Sequence, residues 1–197
     1  MPNLTNAHPL LQLETALGRT LAIFQQNIIQ LADAIGLERQ TWLIDHLAVR
    51  VNTQQQGELW LASFLKCGQL LSDNQVNGRP IYLVALSQPL VFAEQSVSVI
   101  ELPLPKNKIY PQQGWEHIEV VVPFLAKESP SEWLERLNKQ FCLNEKPFLT
   151  VKVGEPKVVG EKCCNLSMAI TFTNNTENRT CIKLHPYHIR DVVKQER

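Results

Sequence analysis

What the 197-residue chain lacks narrows the field first. Nineteen Lys and Arg residues are matched by nineteen Asp and Glu, so the formal net charge is zero. No basic run of the kind that neutralises phosphates occurs, which argues against nucleic acid as a partner. No apolar stretch approaches the roughly 18–20 residues a membrane span needs. Residues 1–8 lack the charged and apolar regions of a secretory signal, so a cytoplasmic protein is expected. Glycine is scarce, at eight residues, and no Gly-rich phosphate loop, dinucleotide fingerprint or G-x-S-x-G elbow is present. The cysteines, Cys67, Cys142, Cys163, Cys164 and Cys181, include no C-x-x-C pair. They read as small buried hydrophobes rather than metal ligands or redox thiols.

What is present is enough for a core: 44% of residues are hydrophobic. Residues 9–37 read as a helix or helix pair, with Leu17, Leu21, Phe24, Ile28, Leu31 and Ile35 on one stripe and Gly36 at its end. A strand is expected at 43–52. A helix over 54–66 follows, capped by Thr53, with Leu59, Ala62, Phe64 and Leu65 as its buried face. Asn77-Gly78 marks a hairpin between strands at 70–76 and 81–86. Pro89 breaks the chain before a strand at 96–102. After a proline-broken linker at 105–114 the order repeats: a strand at 115–122, a helix from Ser129-Pro130-Ser131-Glu132, and strands near 148–154, 166–173 and 180–185. A short helix beyond Pro186 closes the chain.

The organisation is therefore an N-terminal helical extension (1–40) and two βαβββ modules (41–104 and 115–197) within one structural domain. The expected fold is α+β, with the modules forming a curled, mostly antiparallel eight-stranded sheet around a cleft.

Candidate chemistry comes from a repeat. Asp45-His46-Leu47-Ala48-Val49-Arg50-Val51 and Glu116-His117-Ile118-Glu119-Val120-Val121-Val122 stand 71 positions apart, each with an acid and a histidine opening a β-branched run. Glu101 lies in an apolar strand, where a carboxylate is costly unless paired or bound to a cation. Matching Ile100-Glu101-Leu102 to Ile182-Lys183-Leu184 sets Lys183 opposite Glu101, with His185 two residues further along the same face. Two imidazoles and a carboxylate from separate strands suit a divalent metal, Zn, Fe, Mn or Ni. His46, Glu101 and His117 are the candidate ligands. Glu119 is a fourth ligand, a general base for catalysis, or the polar side of a strand. Arg50 pairs with a substrate carboxylate, with Glu119, or in a structural ion pair. Lys183 holds an anionic substrate or tethers Glu101. Arg79, Tyr82 and Tyr110 can rim a cleft, Trp115 and Trp133 anchor the core, His8 falls in a tail, and His188 in a solvated helix turn.

These features resemble the vicinal oxygen chelate superfamily of glyoxalases, bleomycin-resistance proteins and extradiol dioxygenases. The segments Asn77-Gly-Arg-Pro-Ile, Val99-Ile-Glu-Leu-Pro, Tyr110-Pro, Gly114-Trp-Glu-His-Ile-Glu and Lys183-Leu-His-Pro resemble the bacterial YecM family over about residues 40–190. The resemblance implies a cleft with a divalent metal taken by the first and last strands of each module. Carried over, the ligands are His46, Glu101 and His117. Lys183 departs from that pattern in the fourth slot, leaving His185, Glu119 or a three-ligand site. The implied function is an isomerase, lyase or oxygenase acting on a small oxygen-bearing anion, or a metal-free small-molecule binding module. A monomer or weak homodimer is expected.

Overall fold

The computed structural model describes residues 8–38, 41–106, 109–155 and 166–195. Cys163 and Cys164 lie outside them. Helix α1 (Pro9–Leu13) leads into α2 (Thr15–Ile35), whose six stripe residues are all buried. Gly36 ends α2 in the left-handed conformation at φ 83°. Then come β1 (Ile44–Arg50), α3 (Gln54–Cys67), β2 (Gly68–Ser72), β3 (Gln75–Val76), β4 (Arg79–Phe92) and β5 (Gln95–Pro103). The second half runs β6 (Gly114–Val121), α4 (Pro130–Gln140), β7 (Leu149–Gly154), β8 (Ser167–Phe172), β9 (Cys181–His185) and α5 (Ile189–Gln195), with a 3-10 turn at Leu143–Glu145. No helix among the described residues is long and apolar enough to cross a membrane.

The strands form one mixed sheet in the order β2-β4-β5-β1-β6-β9-β8-β7, with β3 paired to β4. Among the described residues, β1–β5 and β6–β9 are the parallel ladders and the others are antiparallel. The sheet is open, with β2 and β7 at its ends. The described residues form nine strands rather than eight, because the expected strand at 70–76 splits at Asp73-Asn74 into β2 and β3. Pro89 does not break β4 either. The β4–β5 register slips between Ala85 and Leu90, and proline, lacking an N–H, is tolerated at such an irregularity. The β4–β5 hairpin turns at Ala93-Glu94, both at positive φ (48° and 66°). That is the primed geometry expected at Asn77-Gly78, reached here without the usual residues.

Strand alternation divides the sheet into two faces. Leu47 and Val49 of β1, Val84 and Leu86 of β4, Ile100 and Leu102 of β5, Ile118 and Val120 of β6, and Ile182 and Leu184 of β9 join the main core with the helices. Each fully buried Leu or Ile contributes on the order of 1.5–3 kcal/mol there. Phe24 of α2 packs between Phe92 (5.3 Å) and Trp115 (5.8 Å). Trp115 and Trp133 are core residues, with indole N–H groups donating to Leu17 O and Val122 O. The buried face of α3 is Gly57, Trp60, Phe64 and Cys67. Leu59 and Leu65, expected inside, are exposed. Their stripe runs along the wrong side of a helix whose inward face is set by Trp60. Cys142 is likewise exposed rather than buried. His8 is not in a loose tail: it is buried, its Nδ1 capping α1 and its Nε2 2.7 Å from Gln88 O.

The opposite face carries His46, Glu101, His117, Glu119 and Lys183. It is topped by a small cluster of Leu83, Val99 and Val193, against which Leu71 and Ile189 pack. Helix α5 thus covers part of the inner face of the sheet.

Candidate metal centre

Strands β1 and β6 place the two histidines at the middle of the sheet. Their antiparallel register pairs His46 with Glu119, Leu47 with Ile118 and Ala48 with His117. The ladder is irregular at two points. Ile44 pairs with Val120 and His46 with Glu119, so Asp45 is an extra residue on β1. Ala48 pairs with His117 and Val49 with Trp115, so Glu116 is an extra residue on β6. Neighbours on a regular strand face opposite ways, but a bulge re-aims the inserted side chain. Each acid consequently reaches its own histidine: Nδ1 of His46 lies 3.0 Å from Asp45 Oδ2, and Nδ1 of His117 lies 2.8 Å from Glu116 Oε2.

With both Nδ1 atoms held, the Nε2 atoms point at two carboxylates. His46 Nε2 is 3.6 Å from Glu101 Oε2 and 3.8 Å from Glu119 Oε2. His117 Nε2 is 3.7 Å from Glu101 Oε1 and 3.8 Å from Glu119 Oε1. These gaps are too long for hydrogen bonds, and both buried Nε2 atoms lack a hydrogen-bond partner. One donor atom from each of His46, Glu101, His117 and Glu119 lies within 4.8 Å of the others. Donors about 2.1 Å from a common ion stand roughly 3–4 Å from one another, near the spacings seen here. Two buried nitrogens with no partner and two anionic oxygens at ligand spacing fit a divalent cation, whose charge the carboxylates offset.

The electrostatics are those of a tightly coupled cluster. Burial works against the charged forms of Glu101 and Glu119. His46, Lys183 and His117 outweigh it, holding Glu101 at about 2 and Glu119 well below the usual carboxylate range. Burial would depress His46, but the charge of Glu119, the bond to Asp45 and the proximity of Glu101 lift it well above its ordinary value. Lys183 Nζ donates to Glu119 Oε1 at 3.2 Å, and this pairing keeps the half-buried lysine charged.

The other candidates fall around this group. Lys183 ties Glu119 and not Glu101. Arg50 pairs with Glu116, rather than with Glu119, and stacks on the Tyr110 ring with its guanidinium 3.8 Å from the centroid. Tyr110 is fixed further by a two-way exchange with the Asn52 side chain. His185 lines the same cavity as Glu101 and Glu119, but its Nδ1 engages the backbone of Tyr187, and it is not among the four clustered donors. His188 is more than a solvated turn: its Nδ1 lies 2.8 Å from Asp45 Oδ1, while Asp45 Oδ2 also accepts from Ile189 N. The orienting roles of Asp45, Glu116 and His188 are absent from the sequence reading. The two acid–histidine dipeptides were the visible signal for the first two.

The inner face holds a cavity of about 190 Å³. Glu101, His117, Glu119 and Lys183 form its polar end, while Val76, Ile81, Leu83, Pro103, Ile189, Val192 and Val193 supply apolar wall.

Fold and site together define an α+β protein with a buried two-histidine, two-glutamate centre on the inner face of an open sheet. The chain belongs to the YecM family, whose profile matches residues 14–196. It is similar to an uncharacterised protein of Haemophilus influenzae, 53% identical over 180 residues spanning 91% of this chain and 93% of that one. It is 35% identical to Protein YecM of Escherichia coli over 173 residues, 88% of each chain. Among solved structures it is similar to "Structural Genomics, Protein EC4020", at 31% identity and a TM-score of 0.77, covering 100% of this chain and 98% of that one.

Proposed function

We propose that this chain is a divalent-metal-binding protein of the vicinal oxygen chelate type, built from two βαβββ modules. Its substrate is a small anion bearing two neighbouring oxygens. The observation that carries the metal reading is the pair of buried, partnerless Nε2 atoms facing Glu101 and Glu119. The two-module reading is supported by the 71-residue offset, because it maps the ladder onto itself. His46↔Glu119 exchanges with Ala48↔His117, while Leu47↔Ile118 lies at the centre. In each half the first strand is parallel to the last, as β1–β5 and β6–β9.

His46, His117, Glu101 and Glu119 would hold the ion, and Asp45 and Glu116 would fix the imidazoles. We assign Glu119 to the ligand set in preference to His185, because its oxygens stand 3.8 Å from both partnerless nitrogens. When bound, a divalent ion supplies a Lewis acid for adjacent substrate oxygens, the chemistry of an isomerase, lyase or oxygenase. Lys183 anchors Glu119 and leaves the loaded centre with one net positive charge, counting two from the ion, one from the lysine and two negative from the glutamates. That charge favours an anion. The apolar wall of Ile81, Leu83 and Val193 keeps water from the far side of the ligand.

The test is metal analysis of purified protein, before and after dialysis against Fe(II), Mn, Zn and Ni. One divalent ion per chain is expected, lost in folded His46→Ala and His117→Ala variants. Wild type that neither carries nor regains metal sinks the reading. The metal-free binding module would then stand, and one arrangement favours it: Lys183 contacts Glu119 at 3.2 Å and His46 Nε2 faces both glutamates at 3.6 and 3.8 Å, so a protonated imidazole and the lysine would balance the two carboxylates without any ion.

A further inference from the structure

We infer that the ligand of this cavity carries a second anionic group, a carboxylate remote from the metal-binding oxygens, and that Arg79 is its anchor. This rests on the metal reading above and adds a substrate class to it: 2-oxo or 2-hydroxy dicarboxylates. Along β4, Arg79, Ile81 and Leu83 alternate onto the inner face, and all three line the cavity. Leu83 pairs directly with the ligand Glu101, and Ile81 pairs with Pro103. The wall therefore reads, in order, cation, apolar, apolar, metal centre. Four residues of strand put the Cα atoms of Arg79 and Leu83 about 13 Å apart. A cavity of about 190 Å³ extending along that wall suits a short chain with polar ends.

The charges favour this assignment. Arg50 is committed to Glu116 and Lys183 to Glu119. Arg79 is half-buried and makes no ion pair among the described residues. Its position beside the Asn77-Gly78 turn is fixed by the hairpin, which pairs it with Val76. A guanidinium binds a carboxylate through two parallel N–H donors, a geometry that lysine does not reproduce.

The probes are 2-oxoglutarate and 2-oxopentanoate, equal in chain length and differing in the distal carboxylate, titrated by calorimetry into Mn(II)-loaded protein whose metal content is measured in the same sample. Wild type should prefer the diacid by about 10- to 100-fold, the worth of a charge-assisted contact. Arg79→Gln should erase that preference while leaving metal content and 2-oxopentanoate binding unchanged. Arg79→Lys should recover only part of it. Metal-loaded wild type with no preference, or R79Q that keeps it, overturns the proposal. Wild type that takes up no metal sinks the metal reading instead, and Arg79 is then judged by the apo-protein's own preference between the two acids.

Discussion

The centre is asymmetric in a way that can be reversed by substitution. Ala48 and Glu119 stand 71 residues apart and pair with Glu101 on β5 and Lys183 on β9, so Glu101 and Lys183, themselves 82 apart, take corresponding places in the sheet. On the proposed two-module reading, the second carboxylate stands on the first strand of its half instead of the last, and Lys183 takes the remaining slot. Glu119→Ala should therefore be doubly harmful, removing a ligand and leaving Lys183 charged with its 3.2 Å partner gone. A unit charge pair at 4 Å is worth about 4 kcal/mol at an effective dielectric of 20. Losing the carboxylate beside a divalent ion should thus cost at least about a thousandfold in metal affinity. Adding Lys183→Glu to that background changes the local charge by two units and restores a two-histidine, two-glutamate set with near-dyad symmetry. The double variant E119A/K183E should regain at least tenfold over E119A alone. Chelator competition with Zn(II) or Ni(II), with circular dichroism to confirm folding, measures this directly. A folded double variant binding no better than E119A would refute the equivalence of the two slots.

Asp45→Asn and Glu116→Gln should each weaken metal binding about 10- to 100-fold by loosening the imidazoles. The first should also lower Tm, since Asp45 is buried with three partners while Glu116 lies nearer solvent; equal Tm values would contradict the role given to Asp45. Metal uptake should release a proton from His46, whose folded value is raised, so affinity should fall about tenfold per pH unit below that value; calorimetry in buffers of different ionisation enthalpy counts the proton. In the metal-free protein, the stabilisation from charged His46 is complete below its unfolded value near 6.5 and lost as pH rises through the raised folded one. That from Glu101 and Glu116 is complete above about 4.3 and lost as pH falls through about 2, so denaturant midpoints should hold between these limits and drop on either side. Gly68→Ala should destabilise the protein by about 1–3 kcal/mol, because a Cβ there runs into the Ala85 carbonyl on β4; an unchanged urea midpoint would show that the edge of the sheet yields freely.

What the sequence made legible was local or repeated. Thr53 caps α3 and Ser129 with Glu132 forms the capping box of α4, because each signal lies within a few residues of its effect. The Asn77-Gly78 turn and the α2 stripe are of the same kind. His46 and His117 were visible as a pair because the repeat doubled a weak signal, and the structure brings their rings to 6.4 Å. The continuation of β4 through Pro89 was hidden, since it depends on the register slip against β5. So was the inward turn of Trp60, which depends on what α3 meets. That Glu119 and not His185 joins the four clustered donors was hidden too, since it depends on the pairing that sets Glu119 beside His46 and on the contact of the His185 imidazole with the Tyr187 backbone.

Asp45 has one more consequence. All four clustered donors are in place by Glu119, yet the groups that complete Asp45, His188 and the amide of Ile189, lie 143 and 144 residues after it in the chain. A nascent chain emerging from the ribosome only as far as β6 would possess all four clustered donors and still lack the clamp on the first imidazole. Ion capture would then be weak and unselective until β9 and α5 arrive. The order of synthesis would thereby postpone metallation until the sheet is whole, a timing written into the wiring of a single buried aspartate.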